Sequence, residues 1–240
     1  INAAAYTKVD DAETHEDEAL LVNGTGVGLL AEATAAHGAK LVTVSTDYVF
    51  DGTATAPYRE WDATNPLSVY GRSKRAGEDE VRALTTKATV VRTSWVCGEH
   101  GANMVKTVLR LAAGHGEGAG TEQPTLKFVA DQHGCPTFTE DLAGMILRLA
   151  TARRPGVFHV TNSGATTWYQ FARDILAAAG HDPARVEPIT TAELQPPRPA
   201  PRPANSVLDN AALRYEGIPL LDDHHIPLER LVKHLTAGSP

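Results

Sequence analysis

Tyr70 and Lys74 stand four residues apart in "SVYGRSKRAGE", a segment that otherwise reads as helix. That spacing puts both side chains on one helical face, with Cβ atoms about 5–6 Å apart. A phenol is a sluggish acid at its ordinary pKa of ~10, and an adjacent ammonium favours the phenolate and lowers that value. The pair therefore suits a proton donor and the cation that tunes it; a solvated surface pair has the same spacing. Ser45-Thr46-Asp47 supplies the context, because it closes the run "KLVTVST", and open α/β sheets place ligands at the carboxyl ends of their strands. There the Thr46 hydroxyl can bond the same substrate oxygen that Tyr70 protonates, or it can cap a turn.

The elements that must position these groups follow from periodicity. "HEDEALLVNGTGVGLLAEATAAHG" has helical spacing, acidic residues in its first turn and Gly38 as a stop signal. "KLVTVST" then reads as a strand buried on both faces, followed by a polar loop over residues 47–66, a length that is usually functional or disordered. A helix over 68–85, a strand over 88–94 and a helix over 102–113 repeat the pattern. Such alternation calls for a doubly wound parallel α/β sheet, Rossmann-like. Further on come a Gly-rich stretch "AAGHGEGAGTEQP", a strand near 125–129, a helix near 138–151, the strand "GVFHVT" and the helix "TWYQFARDILAAAG". "LQPPRPAPRPANS" cannot be regular structure and reads as an extended strap. The expected division is an α/β core over residues 1–150 and a mainly substrate-binding lobe over 151–240.

Composition narrows the function. The chain has 240 residues, a formal charge of −7 and scattered Lys and Arg, which argues against nucleic acid as a partner. Two cysteines, Cys97 and Cys135, make no disulfide framework, so a cytoplasmic protein is expected. No apolar run is read as reaching the ~18 residues of a membrane span. The glycines of "NGTGVG" have the wrong spacing and context for a dinucleotide turn, and are read as points of close helix packing. His100, His133 and the pair His224-His225 form no ligand cluster by sequence, so no metal is expected.

Six segments, "INAAAYTKVDDAE", "VSTDYVFDG", "NPLSVYGRSKRAGE", "VVRTSWVCGEHGANMV", "DQHGCPT" and "RPAPRPANSVLDN", together resemble the dTDP-4-dehydrorhamnose reductases, extended short-chain dehydrogenase/reductases. The resemblance implies NADPH- or NADH-dependent reduction of a 4-keto-6-deoxy sugar on a nucleoside diphosphate. It implies that Tyr70 donates the proton, that Lys74 lowers the tyrosine pKa and bonds the nicotinamide ribose, and that Thr46 orients the carbonyl. Ala3, Ala4 and Ala5 would let the cofactor approach the backbone. Thr7, Val9, Asp47, Tyr48 and Trp95 would face the sugar or its neighbours. Arg202 in the strap is the candidate for the substrate diphosphate, with a solvated loop charge as its alternative; Arg198 has the same ambiguity, and Trp95 is alternatively a core aromatic. A homodimer is compatible with the resemblance.

Related sugar-nucleotide dehydratases need an Asp-Glu pair after the strand-end threonine; Asp47-Tyr48 stands there, which disfavours elimination and leaves ketone reduction. Two other readings stay open: an epimerase using the same Tyr/Lys chemistry, and a non-catalytic NADP-binding subunit resembling the regulatory β subunit of methionine adenosyltransferase. Two departures stand out. Cys97 replaces an aromatic of the family pattern and is expected to reshape the pocket wall. The family's glycine-rich pyrophosphate loop lies upstream of the strand that ends in "INAAAYT", so a longer native protein is expected.

Overall fold

The computed structural model describes residues 1–114 and 125–237; most of the Gly-rich stretch falls outside the described residues. Two β-branched runs, Val42–Thr46 and Thr89–Thr93, and the shorter strand Gly156–His159 pair in parallel in that order. Their register sets Val44 beside Val91 and Val91 beside Phe158. Asn2 extends the sheet on its other edge, donating from its backbone N–H to Val42 O at 2.7 Å and accepting from Val44 N at 3.1 Å.

Both faces of this sheet are covered, as its continuous apolar runs require. Val27, Ala31, Val81 and Val90 form one packed layer, while Val91, Leu142, Met145, Leu149 and Phe158 form another. The fold is thus the doubly wound α/β arrangement. A further core unites Met104–Ala112, Leu126–Val129, Trp168–Ala178 and His225–Ala237 around Phe171 and Ile175. The two units interleave along the chain: Gly156–His159, beyond residue 150, is a strand of the core sheet, whereas Met104–Ala112 and Leu126–Val129 pack with the C-terminal helices.

The long helix expected after residue 15 is present, but as Glu16–Leu20 and Gly26–Ala36 joined by a π turn over Leu21–Thr25. Its glycines do pack closely: a Cβ on Gly24 would lie 3.3 Å from the Ala76 methyl, and one on Gly28 would lie 3.1 Å from the Glu80 carboxylate. One expectation is corrected here. Glu16–Ala36, with 21 residues and a mean hydropathy of 1.3, is long and apolar enough to cross a membrane by length and composition, its leucines, valines and alanines outweighing the polar residues between them. In the fold its small residues form a face against the neighbouring helix Val69–Leu84.

The loop after Thr46 is built rather than loose. Phe50 stacks on Tyr58 at 4.2 Å, and the Tyr58 hydroxyl donates to Asp51 at 2.8 Å. The proline strap has no regular secondary structure over residues 194–203 and lies on this loop, with Pro203 so near Gly52 that a Cβ there would come within 2.5 Å of it.

Candidate active site

Ser68 starts the tyrosine helix by accepting Gly71 N–H at 3.1 Å on its side chain, a standard N-cap interaction. Gly71 follows Tyr70 because a Cβ there would meet the Tyr48 carbonyl oxygen at 2.3 Å. The absence of that atom lets the helix press against the end of the strand that carries Thr46. Tyr48 and Tyr70 consequently meet edge to face at 5.6 Å. Thr46, the strand's last residue, donates to Asp47 Oδ1 at 2.9 Å and accepts Tyr48 N–H at 3.2 Å.

Burial dominates the electrostatics. It pushes the Tyr70 phenol up to about 12, with the Asp47 charge adding to it and the Thr46 hydroxyl acting the other way. Tyr70 is therefore a fully protonated donor at neutral pH. Burial likewise raises Asp47 to about 6 against the hydroxyls of Ser206 and Thr46, and Asp47 Oδ2 is buried without a hydrogen-bond partner. Lys74 is 5% exposed and donates to Val44 O at 2.6 Å. Burial lowers it to about 8, opposed by Glu78. Lys74 thus sits one helical turn from Tyr70 with its ammonium anchored on the strand carbonyl, and the Thr46 hydroxyl is the neighbour that favours the phenolate.

Behind these residues lies a polar network that the spacing did not reveal. Ser45 Oγ donates to Glu78 Oε1 at 2.6 Å, and Glu78 takes two hydrogen bonds from Arg92, at 2.9 and 2.6 Å, with both side chains 1% exposed. Asn23, in the π turn, accepts Tyr6 N–H at 2.9 Å and donates to Tyr6 O at 3.0 Å and to Ser73 Oγ at 2.9 Å. It therefore clamps the Ala3–Ala5 segment to the tyrosine helix. The clue in sequence was an asparagine inside an otherwise apolar helix, flanked by glycine.

Arg202 is not a solvated loop charge, whereas the Arg198 side chain is 61% exposed. Arg202, its side chain 15% exposed, grips both carboxylate oxygens of Asp10, and Arg198 approaches the same carboxylate at 3.6 Å. Asp10 was missed, although it directly follows the candidate Val9. Arg202 and Arg198 line a cavity of about 660 Å³ with Tyr48, Gln132, Phe128 and Trp168. Trp95, at φ 47° in the left-handed region, stacks on Trp168 at 3.5 Å and lies against the Gly134 backbone, where a Cβ would clash at 2.4 Å. Non-glycine residues rarely adopt that conformation, and it marks functional sites. Trp95, Tyr48, Arg202 and Trp168 border one adjoining cleft. Trp168 was read only as part of a helix.

Ala3 and Ala4 are exposed beyond the sheet edge, Ala5 and Val9 are half-buried, and Thr7 is exposed; among the described residues no side-chain hydrogen bond ties Thr7 to the rest. Cys97 does not line this pocket: it is 2% exposed, in the core with Val105 and Phe138. Its thiol contacts the Trp95 carbonyl at 3.4 Å.

The arrangement of a protonated tyrosine, a buried lysine and a strand-end threonine on a doubly wound parallel sheet defines an extended short-chain dehydrogenase/reductase fold. The family described as "RmlD substrate binding domain" matches residues 1–237, and the chain belongs to that family. It is 44% identical over 218 residues to the spore coat polysaccharide biosynthesis protein SpsK of Bacillus subtilis, covering 91% of this chain and 73% of the relative. It is 45% identical over 242 residues to the probable dTDP-4,6-dihydroxy-2-methyloxan-3-one 4-ketoreductase of Streptomyces antibioticus, covering 99% and 78%. The crystal structure of dTDP-4-dehydrorhamnose reductase from Bacillus anthracis in complex with NADP superposes with a TM-score of 0.89 at 38% identity, covering 97% of this chain and 79% of that one.

Proposed function

We propose that the protein reduces the 4-keto group of a dTDP-linked 4-keto-6-deoxy sugar, dTDP-4-dehydrorhamnose foremost, at the expense of NADPH. One observation carries the reading: partly buried Tyr70 sits at the strand end beside the Thr46 hydroxyl, and the Tyr48 ring packs edge to face against it. A phenol in that setting gives a proton to a carbonyl oxygen, and no adjacent glutamate is present to drive elimination.

The residues present fit the nicotinamide end of a dinucleotide. Ala3 and Ala4 are small and exposed beyond the sheet edge, and buried polar atoms without partners, Asp47 Oδ2 and Thr93 Oγ1, stand at the neighbouring strand ends. When bound, the cofactor supplies the hydride. Lys74 is the group to hold its ribose, Tyr70 delivers the phenolic proton to the sugar's C4 oxygen, and Thr46 orients that oxygen. Arg202, fixed by Asp10, and Arg198 match the diphosphate, while the Trp95 and Trp168 rings offer an apolar wall to the deoxysugar. Retention of Thr46, Tyr70 and Lys74 together favours catalysis over a regulatory NADP-binding role.

Two further features belong to this reading. Leu21, Leu29 and Leu30 are exposed on the helix Glu16–Ala36, which supports a homodimer. Both cysteines are free and buried, which suits a cytoplasmic location.

The test is NADPH oxidation with a panel of nucleotide sugars. Turnover with dTDP-4-dehydrorhamnose and none with its 4-hydroxy counterparts supports the assignment. Cofactor binding without oxidation by any 4-keto sugar overturns it in favour of the regulatory reading.

A further inference from the structure

His224 and His225 open the helix that closes the C-terminal core, and the fold brings them to Asp174 on the helix Trp168–Ala178. One ligand atom from each of the three lies within 4.8 Å of the others. His225 Nε2 is 3.5 Å and His224 Nε2 is 3.9 Å from the same oxygen, Asp174 Oδ2. Four-coordinate zinc with bonds of about 2.0–2.1 Å keeps its ligand atoms roughly 3.3 Å apart; the two imidazoles stack at 4.1 Å with 28° between their planes, so the set closes when half-exposed His225 turns its ring toward the ion and the three ligand atoms draw together.

The surroundings orient all three groups. His224 Nδ1 lies 3.2 Å from the Ser163 carbonyl, which as an acceptor fixes the proton on that nitrogen and leaves Nε2 with a lone pair. His225 Nδ1 is bonded in the same way to Asp223 Oδ1 at 2.6 Å, and Gln170 donates to the far oxygen of Asp174 at 2.8 Å. Such outer partners are what aim metal-ligating side chains. The Ser163-Gly164 backbone wraps the pair closely enough that a Cβ on Gly164 would strike His224 Nδ1 at 2.7 Å. Independently, His224 is 2% exposed, yet its Nε2 is buried without a hydrogen-bond partner. A buried polar nitrogen left unsatisfied is costly, and here it lies 3.9 Å from the Asp174 carboxylate, with the His225 ring stacked alongside.

We propose that Asp174, His224 and His225 bind a divalent ion of the zinc class, with two imidazoles and one carboxylate as protein ligands and the fourth position open on the solvent side of half-exposed His225. The ion ties the two C-terminal helices together. It also braces the pocket wall, because Phe171 packs edge-on to His224 at 6.0 Å and against Trp95 at 6.5 Å. The site is distinct from the Tyr70 centre, and the proposal does not depend on the reductase reading.

The test uses untagged protein stripped with a chelator, then titrated with Co²⁺ by visible absorption and with Zn²⁺ by calorimetry and thermal melting. Expected are one saturable equivalent, the intense visible bands of a four-coordinate cobalt site, and a rise in melting temperature with Zn²⁺. Asp174→Asn and His225→Gln, both at partly exposed positions, should melt as the parent does without metal, lose at least about tenfold in affinity, and show no rise with Zn²⁺. Absence of saturable binding in the parent, or binding undiminished in both variants and hence carried by other histidines, would overturn the proposal.

Discussion

Asp47 carries a carboxyl whose charge burial disfavours. Its carboxyl is raised from 3.8 to about 6 by burial, so the folded state binds more protons than the unfolded state between those values. Stability from this group is thus present at low pH and lost as pH rises through about 6. Asp47→Asn removes the buried charge and should be more stable than the parent at pH 8, by up to about 3 kcal/mol, with the gap closing toward pH 4. Urea unfolding at both pH values measures this, and a gap that widens on acidification would refute it. Lys74 behaves oppositely in function: held at about 8 by burial, it loses the ammonium as pH rises through that value. The kcat/KM for the nicotinamide cofactor should fall there, and a profile flat through that region would remove Lys74 from cofactor binding. The types and spacing of Thr46, Tyr70 and Lys74 were legible in sequence; their pKa values were not, because desolvation depends on what the rest of the chain lays over them.

At the scale of elements, the tyrosine helix was legible nearly to its ends, since Ser68 caps it and its apolar positions follow the helical period. Its anchor was not. The folded chain buries Glu78 against Arg92 from the adjoining strand, with Arg82 one turn on as a second partner. A charged residue within a β-branched run carries no sign of its partner in sequence. Removing one member leaves a buried charge unpaired, so Arg92→Leu should cost about 3–5 kcal/mol in denaturant unfolding. A cost within the range of an ordinary surface substitution would contradict the buried pair. The π turn is a second case: Leu21–Thr25 keeps helical spacing in sequence, and only the need to place Asn23 between Tyr6 and Ser73 explains the extra residue in that turn.

Across the whole molecule, residues near the start of the chain and the proline strap meet in one site. Asp10 and Arg202, separated by 192 positions, join these segments, which no local pattern in either segment discloses. The proline run shows that the strap is extended, and the tertiary fold supplies its destination over Gly52 and beside Asp10. Asp10→Asn should loosen Arg202 and raise KM for the nucleotide sugar by about tenfold, with KM for the cofactor nearly unchanged. Equal effects on both would mean that Asp10 supports the fold at large rather than the sugar pocket. The Cys97 departure had suggested an altered pocket wall; the thiol belongs instead to the core that holds Trp95 from behind.

The central claim is that Tyr70 supplies the proton, and its most direct test is the single-turnover rate of NADPH oxidation by parent and Tyr70→Phe with dTDP-4-dehydrorhamnose, alongside cofactor affinity. Phenylalanine removes the donor and little volume, so the rate should fall by about 10²–10⁴-fold with cofactor affinity preserved. A Tyr70→Phe protein that turns over at nearly the parental rate would contradict the account.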